Sequence, residues 1–345
     1  MPDKTLLLAA DMGATHSRFC IFSVTESPNR PPRLEMVRFR ELLAADHGDF
    51  SDLLHHLKDS GLFQDIVVRH AAMATPGPVV SGRCIPPNLS WTIEAKTAEK
   101  VLGLDRCLLL NDFVAQGYAA LMAEDAHGRE MLGLEPLKPG IRESDFPAAI
   151  MGAGTGLGQA VVLPDQSLVL ASECGHGYFS FVDADERKFC ACLQAVRGQA
   201  DISADMVLGG SGFADFYNFI MKTDVGPAEA TARIRKAPEQ PGHDRVMGGY
   251  ARFYGRAAQN FALASLCRRG LYIAGGMALR VPVLKHPAFI AEFERNTAQS
   301  ALLKAIPVFH MTHPHSGLWG AGMYGAIRLP CPPRPLGVFR QAKMI

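Results

Sequence analysis

Residues 152–158 read Gly152-Ala153-Gly154-Thr155-Gly156-Leu157-Gly158, with glycine at every second position. Alternating glycine lets a backbone approach a ligand closely and adopt positive φ. Successive N–H groups can then converge on an anion. The spacing is not the dinucleotide fingerprint G-x-G-x-x-G, because Leu157 and Gln159 stand where its third glycine belongs. No G-x-x-x-x-G-K-[ST] loop occurs either. Ala148–Met151 before the loop and Gln159–Leu163 after it both read as strands. The stretch is therefore expected to be a hairpin that grips phosphate, with a tight turn packed by its glycines as the alternative.

The start of the chain repeats this grammar. Thr5–Ala10 is apolar, Asp11-Met12-Gly13-Ala14-Thr15 reads as a small-residue turn, and Phe19–Val24 returns as a second strand. One such unit opens each half, which points to a duplicated architecture. Leu53, Leu54 and Leu57 predict a helix over 51–60, Ile66–Val68 and Ala71–Ala74 predict strand, and Thr75-Pro76-Gly77-Pro78 a turn. Ile93–Leu102 predicts a helix ended near Gly103, Cys107–Leu110 a buried strand, and Phe113–Met122 a helix. The stripe Val246, Tyr250, Phe253, Ala257, Phe261, Ala264 and Cys267 makes 244–268 the clearest helix. Leu271–Ala274 predicts a strand, Ala288–Ala305 one helix and Gly317–Arg328 another. Pro330, Pro332, Pro333 and Pro335 predict a loose end.

The 345 residues suit about two domains. Apolar residues at 48% and charged residues at 20% exclude a disordered chain, a collagen and a coiled coil. A net charge of +1 argues against a nucleic-acid partner. No apolar stretch approaches ~20 residues, so no membrane span is expected. Leu6–Ala10 is too short for a secretory core. The eight cysteines are scattered, which predicts reduced thiols in a cytoplasmic protein. Cys190-x-Cys192 has no second pair at zinc-binding spacing.

Four further stretches carry candidate chemistry. Asp11, just after a strand and beside small residues and Thr15, suits a hydrated Mg²⁺ and nucleotide phosphates; plain turn chemistry is the alternative. Asn111-Asp112 falls between a buried strand and a helix. Asp112 can act there as a general base, or the pair can cap the helix. Glu173-Cys174-Gly175-His176 places an acid and an imidazole three apart, fit for vicinal sugar hydroxyls, for a surface turn or for part of a metal site. Gly209-Gly210-Ser211-Gly212 and Ala274-Gly275-Gly276-Met277 read as turns or as the walls of an adenosine pocket.

Together these stretches resemble the bacterial ATP-dependent glucokinases of the hexokinase–actin–Hsp70 superfamily. The resemblance runs in order from about residue 5 to 328, over Asp11–Thr15, Ala74–Pro78, Asn88-Leu89-Ser90-Trp91, Leu110–Phe113, Gly152–Gly158, Glu173–His176, Val207–Gly212, Ala274–Met277 and Gly317-Leu318-Trp319-Gly320. It implies an α/β, two-lobed actin-like ATPase (ribonuclease H-like) fold with mixed sheets and an interlobe cleft. The implied lobes are 1–121 plus 318–334 and 122–317, followed by a tail over 335–345. It implies glucose and ATP as substrates, Mg²⁺ as cofactor, and a homodimer. By resemblance Asp112 is the base for the sugar 6-hydroxyl. Asn88, Asn111, Asp112, Glu173, His176 and Asp205 bind the sugar. Asp11, Gly13, Ala14, Thr15, Gly154, Thr155, Gly156, Gly275 and Gly276 bind ATP, with Asp11 holding Mg²⁺ through water.

The chain departs from the family pattern at several of these places. Ala14 and His16 stand where glycine and asparagine are usual, Asp205 where glutamate is usual, and Cys174 where glycine is usual. The Lys-Gly pair usual after the helical phenylalanine is missing from 293–299. His16 and Asp205 motivate an alternative substrate, mannose or an N-acetylhexosamine. A non-catalytic sugar sensor is the alternative from another class, against which Asp112 and Asp11 both argue.

Overall fold

Leu7–Ala10 is buried on both faces, as a central strand of a covered sheet must be. The computed structural model describes residues 5–26, 31–87, 89–237 and 239–329, and places this stretch inside β1 (Thr5–Met12). There follow β2 (His16–Thr25), β3 (Arg33–Leu43), β4 (His70–Thr75), the short β5 (Val79–Val80), β6 (Arg83–Cys84) and β7 (Ile93–Glu94), and β8 (Arg106–Asn111). The main sheet has the order β3-β2-β1-β4-β8, and β5, β6 and β7 form a small sheet of their own. β1, β2 and β3 run antiparallel, whereas β4 and β8 run parallel to β1.

The later sheet is built from β9 (Leu134–Lys138), β10 (Ala148–Ala153), β11 (Leu157–Leu163), β12 (Leu168–Ser172), β13 (Gly270–Ala274) and β14 (Val308–Met311). Its order is β12-β11-β10-β13-β14-β9. An antiparallel trio followed by two parallel strands repeats the first sheet, and β9 is an added edge. The duplication read from the two glycine turns is thus a duplication of topology. The chain divides into two compact units, one up to Ala115 with the chain from Gly317 on, the other Gln116–Ser316. The first boundary falls inside the helix Asp112–Met122.

Each unit has its own core. In the first, the helix Phe50–Asp59 is capped by Asp49, whose side chain accepts the Asp52 N–H, and it buries Phe50, Leu53, Leu54 and Leu57. Phe50 stacks on Trp91 with ring centres 6.0 Å apart. In the second, the helix His243–Ser265 buries Val246, Tyr250, Phe253, Ala257 and Phe261 of the predicted stripe, whereas Ala264 is exposed and Cys267 lies past the helix end, which Leu266 closes in the left-handed conformation. Phe253 from that helix packs among Phe179, Phe181, Phe189 and Phe216. Arg256 is buried there between Glu186 and Glu292, at 2.7 and 2.6 Å. The pairing matters because an unpaired buried charge costs several kcal/mol, by order of magnitude.

Four local expectations are corrected. Ile66–Val68 is irregular, not strand. Ile93–Glu94 is a strand, so the helix starts at Ala95; it ends at Gly103 as read, with φ at +69°. The helix expected over 288–305 is two helices, Pro287–Glu294 and Ser300–Ala305. Asn296 Oδ1 accepts the N–H groups of Ala298 and Gln299, which turns the chain. Gln259 Nε2 donates to the carbonyls of Glu292, Phe293 and Arg295 at the broken end. Gly210–Gly212 is not a turn but the first turn of the helix Gly210–Met221. A Cβ on Gly212 would stand 2.1 Å from the Met206 carbonyl oxygen, so the glycine is needed for packing. The proline-rich end from Pro330 and the tail 335–345 lie outside the described residues.

Among the described residues no helix is long and apolar enough to cross a membrane. Seven cysteines are described, all as free thiols.

Candidate active site

In the first unit the register of three parallel strands sets the site. Asp11 of β1 lies beside Ala74 of β4, Ala74 beside Leu110 of β8, and Thr75 beside Asn111. The carboxyl ends of β1, β4 and β8 thus carry Asp11, the Thr75–Pro78 turn and Asn111-Asp112 along one edge of the sheet. Strand ends of this kind are where open α/β sheets bind ligands.

Asn111 takes the cap role foreseen for the pair. Its Oδ1 accepts the N–H groups of Phe113 and Val114, at 2.9 and 3.2 Å, and its Nδ2 donates to the Gly77 carbonyl at 3.3 Å. The Asn111 side chain also bonds toward the Asp112 carboxyl and pulls its pKa down. Asp112 is the first residue of the helix, and its Oδ1 accepts the Phe113 N–H at 2.9 Å. Burial, and then repulsion from Asp11, push the Asp112 carboxyl up to about 6, against the pull of that N–H. Burial also raises Asp11, against the Arg18 guanidinium. The two acids therefore share a dry strand-end environment in which adding negative charge is unfavourable.

Arg18 was missed in the sequence. Its signal was countable: a two-residue loop, Ala14-Thr15, sets Gly13 opposite His16 and pairs Asp11 with Arg18 across the hairpin. Gly13 N–H donates to the His16 carbonyl at 3.0 Å, and a Cβ on Gly13 would stand 2.8 Å from that oxygen. Ala14 and Thr15 are exposed at the tip. His16 Nδ1 and Arg18 Nε lie 3.1 and 2.6 Å from the two oxygens of Glu41 on β3. Glu41 and Cys84, whose buried thiol feels the Asp112 charge, were also missed; no local pattern marks them. Asn88 lies outside the described residues.

In the second unit the loop after β10 divides its glycines between two jobs. A Cβ on Gly152 would stand 2.3 Å from the Ala274 carbonyl oxygen, and one on Gly156 would stand 2.2 Å from Asp205 Oδ1. Those two glycines serve packing. Gly154 has nothing within 4 Å of a Cβ, so it borders open space. Its N–H donates to the Gly156 carbonyl at 2.7 Å, and its own carbonyl accepts the Gly210 N–H at 2.9 Å. Gly275 sits at φ +91°, where a Cβ would lie 2.6 Å from the Ala153 carbonyl oxygen. Gly276 opens the short helix Gly276–Arg280.

Asp205, on the helix Ala204–Leu208, holds this loop: its Oδ1 accepts the Leu157 N–H at 2.6 Å. Asp205→Ala leaves that buried N–H unpaired and is expected to lower stability by about 1–3 kcal/mol, with Asp205→Asn recovering most of it. Denaturant melts of the two variants check this. A cavity of about 260 Å³ lies beside the loop, lined by Thr155, Arg197, Asp205, Gly209 and Ser211 among others. Glu173 and His176 stand on a short turn with 3.6 Å between Oε2 and Nε2, their side chains 82% and 65% exposed. Gly175 packs that turn onto the loop, since a Cβ there would meet the Leu157 carbonyl oxygen at 2.5 Å. Thr155, Gly156, Glu173, His176 and Asp205 are thereby brought together.

The model of the Glucokinase family matches residues 8–327. A glucokinase of Trichormus variabilis is 30% identical over 93% of this chain and 99% of its own length. One from Nostoc punctiforme is 28% identical over the same shares. The crystal structure of a glucokinase from an Antarctic psychrotroph superposes with a TM-score of 0.76 at 24% identity, covering 93% of this chain and 98% of that one. The sheets and this likeness give the chain the two-lobed α/β fold of the actin-like ATPases.

Proposed function

The chain belongs to the glucokinase family and is an ATP-dependent hexose kinase; on that premise we propose that it transfers the ATP γ-phosphoryl group to the 6-hydroxyl of glucose, with Asp112 as the base. The carrying observation is the Asp112 carboxyl at the end of β8, pushed up to about 6 by burial and by Asp11. Such a group is ionised at neutral pH yet close enough to it to accept a proton efficiently. Asn111, beside Asp112 at the same strand end, is assigned to the neighbouring sugar hydroxyls. Glu173 and His176 hold other hydroxyls, as does the Asp205 oxygen not committed to Leu157. The Asn88 side chain is assigned to the sugar by resemblance alone.

Phosphoryl transfer asks the protein for positioning and charge stabilisation more than for covalent chemistry. The Gly13–Thr15 tip and the amides of Thr155 and Gly156 are assigned to the phosphates. Gly154 contributes close approach, since its own N–H is already used. Gly275 and Gly276 lie against the adenosine. The Asp11 carboxylate, raised by burial and itself raising Asp112, suits a hard divalent cation held by one carboxylate, waters and phosphate oxygens. Mg²⁺ bound there would neutralise phosphate charge. A cytoplasmic homodimer completes the proposal, supported for location by the free thiols; light scattering tests the dimer.

The test is ADP release with Mg-ATP across a panel of hexoses. Glucose-dependent turnover is expected. Turnover only with another hexose would move the substrate, and none with any sugar would sink the reading. The pH profile gives a second check. The base must be ionised, so kcat/KM for glucose is expected to fall about tenfold per pH unit below an apparent pKa of about 6. A flat profile down to pH 5 would remove Asp112 from the role.

A further inference from the structure

One cavity of the second unit is used by none of these assignments. It has a volume of about 460 Å³, in the range of small-molecule sites. It is lined by His310 of β14, Glu135 of β9, Ile234 and Arg235 of the helix Pro227–Lys236, Arg280, and Lys285. Three cations face one carboxylate. Lys285 Nζ is 3.9 Å from Glu135. Arg280 reaches only Met277 Sδ, at 3.9 Å, and neither Arg235 nor Arg280 is in an ion pair among the described residues. His310 is an independent observation. It is 6% exposed, and its buried Nε2 has no hydrogen-bond partner among the described residues. Buried polar atoms are nearly always satisfied, so an orphan at a cavity wall points to a ligand.

We propose that this cavity is a second anion site that takes a small phosphomonoester, with the phosphate held by Arg235, Arg280 and Lys285 and a hydroxyl of the organic body bonded to His310 Nε2. Guanidinium groups suit phosphate because their donors match its oxygens pairwise. Burial lowers the His310 pKa, so the imidazole is neutral. It serves as a hydrogen-bonding group for an uncharged hydroxyl and leaves the anion to the three cations. The cavity shares no lining residue with the one beside the Gly152–Gly158 loop.

Calorimetry on the full chain tests this, with glucose saturating so that the sugar site is filled. Glucose 6-phosphate is expected to bind one per chain. Arg280→Ala and Arg235→Ala, both surface changes, are expected to weaken it about tenfold or more each, the scale of a charge-assisted bond. ADP affinity is expected to stay constant in both. His310→Gln is expected to weaken the ester but not inorganic phosphate. Unchanged ester affinity in both arginine variants would overturn the site. ADP affinity falling in step with the ester would make the cavity part of the nucleotide site and overturn its separateness. Inorganic phosphate binding as tightly as the ester would overturn the role of His310.

Discussion

Asp112→Asn is expected to lower kcat for glucose phosphorylation by about 10²–10⁴-fold, the contribution of a positioned general base. The same substitution is expected to raise stability at pH 8. The folded chain holds the Asp112 proton more tightly than the usual carboxylate, at about 6 instead of 3.8, because the carboxylate is buried and faces Asp11. A raised acid pKa means that the folded state binds more protons than the unfolded state between those values. Stability therefore falls as pH rises through that window, and the full penalty is present above pH 6. Removing the charge relieves on the order of 3 kcal/mol at pH 8 and almost nothing near pH 3.5. Paired measurements of kcat and of thermal unfolding at the two pH values check both parts. A variant that is slow and also less stable at pH 8 would mean that Asp112 is a structural cap, with its lost activity secondary.

Gly152→Ala and Gly154→Ala are expected to fail in opposite ways. In the first, the new methyl would meet the Ala274 carbonyl oxygen at 2.3 Å, on the strand paired with β10. Backbone must move, and the cost is expected to reach about 3 kcal/mol, the upper part of the overpacking range. Poor expression or a strongly lowered Tm reads this out. In the second, nothing lies within 4 Å of the added carbon, and the backbone bonds to Gly156 and Gly210 do not involve it. Tm is expected to hold. On the proposed assignment of this loop to ATP, the methyl narrows the open space at Gly154 and KM for ATP is expected to rise about tenfold or more. An unchanged KM would show that the loop is built for packing alone.

Much of the fold was legible because it rests on local grammar. The two strand–glycine–strand units appear as β1–β2 and β10–β11, with the same strand order built around each. The failures have long-range causes. The run 288–305 has helical composition throughout, yet Gln259, more than thirty residues away, binds the carbonyls that end its first helix. Gly209–Gly212 looks like a turn in one dimension. Gly209 and Gly212 leave no room for a Cβ because neighbouring backbone presses on them, Thr155 against the first and Met206 against the second.

The sequence by itself determined the α/β class, the duplication, and the candidate residues Asp11, Asn111, Asp112, Glu173 and His176, because strand periodicity and turn chemistry are short-range. Tertiary structure alone decided which glycine packs and which faces open space, since that depends on the Ala274 and Asp205 oxygens brought in from elsewhere. It alone decided that Asp205 pins the loop through Leu157. It also decided the proton affinity of Asp112: desolvation and the nearness of Asp11 act through space, across strands about a hundred residues apart in the chain.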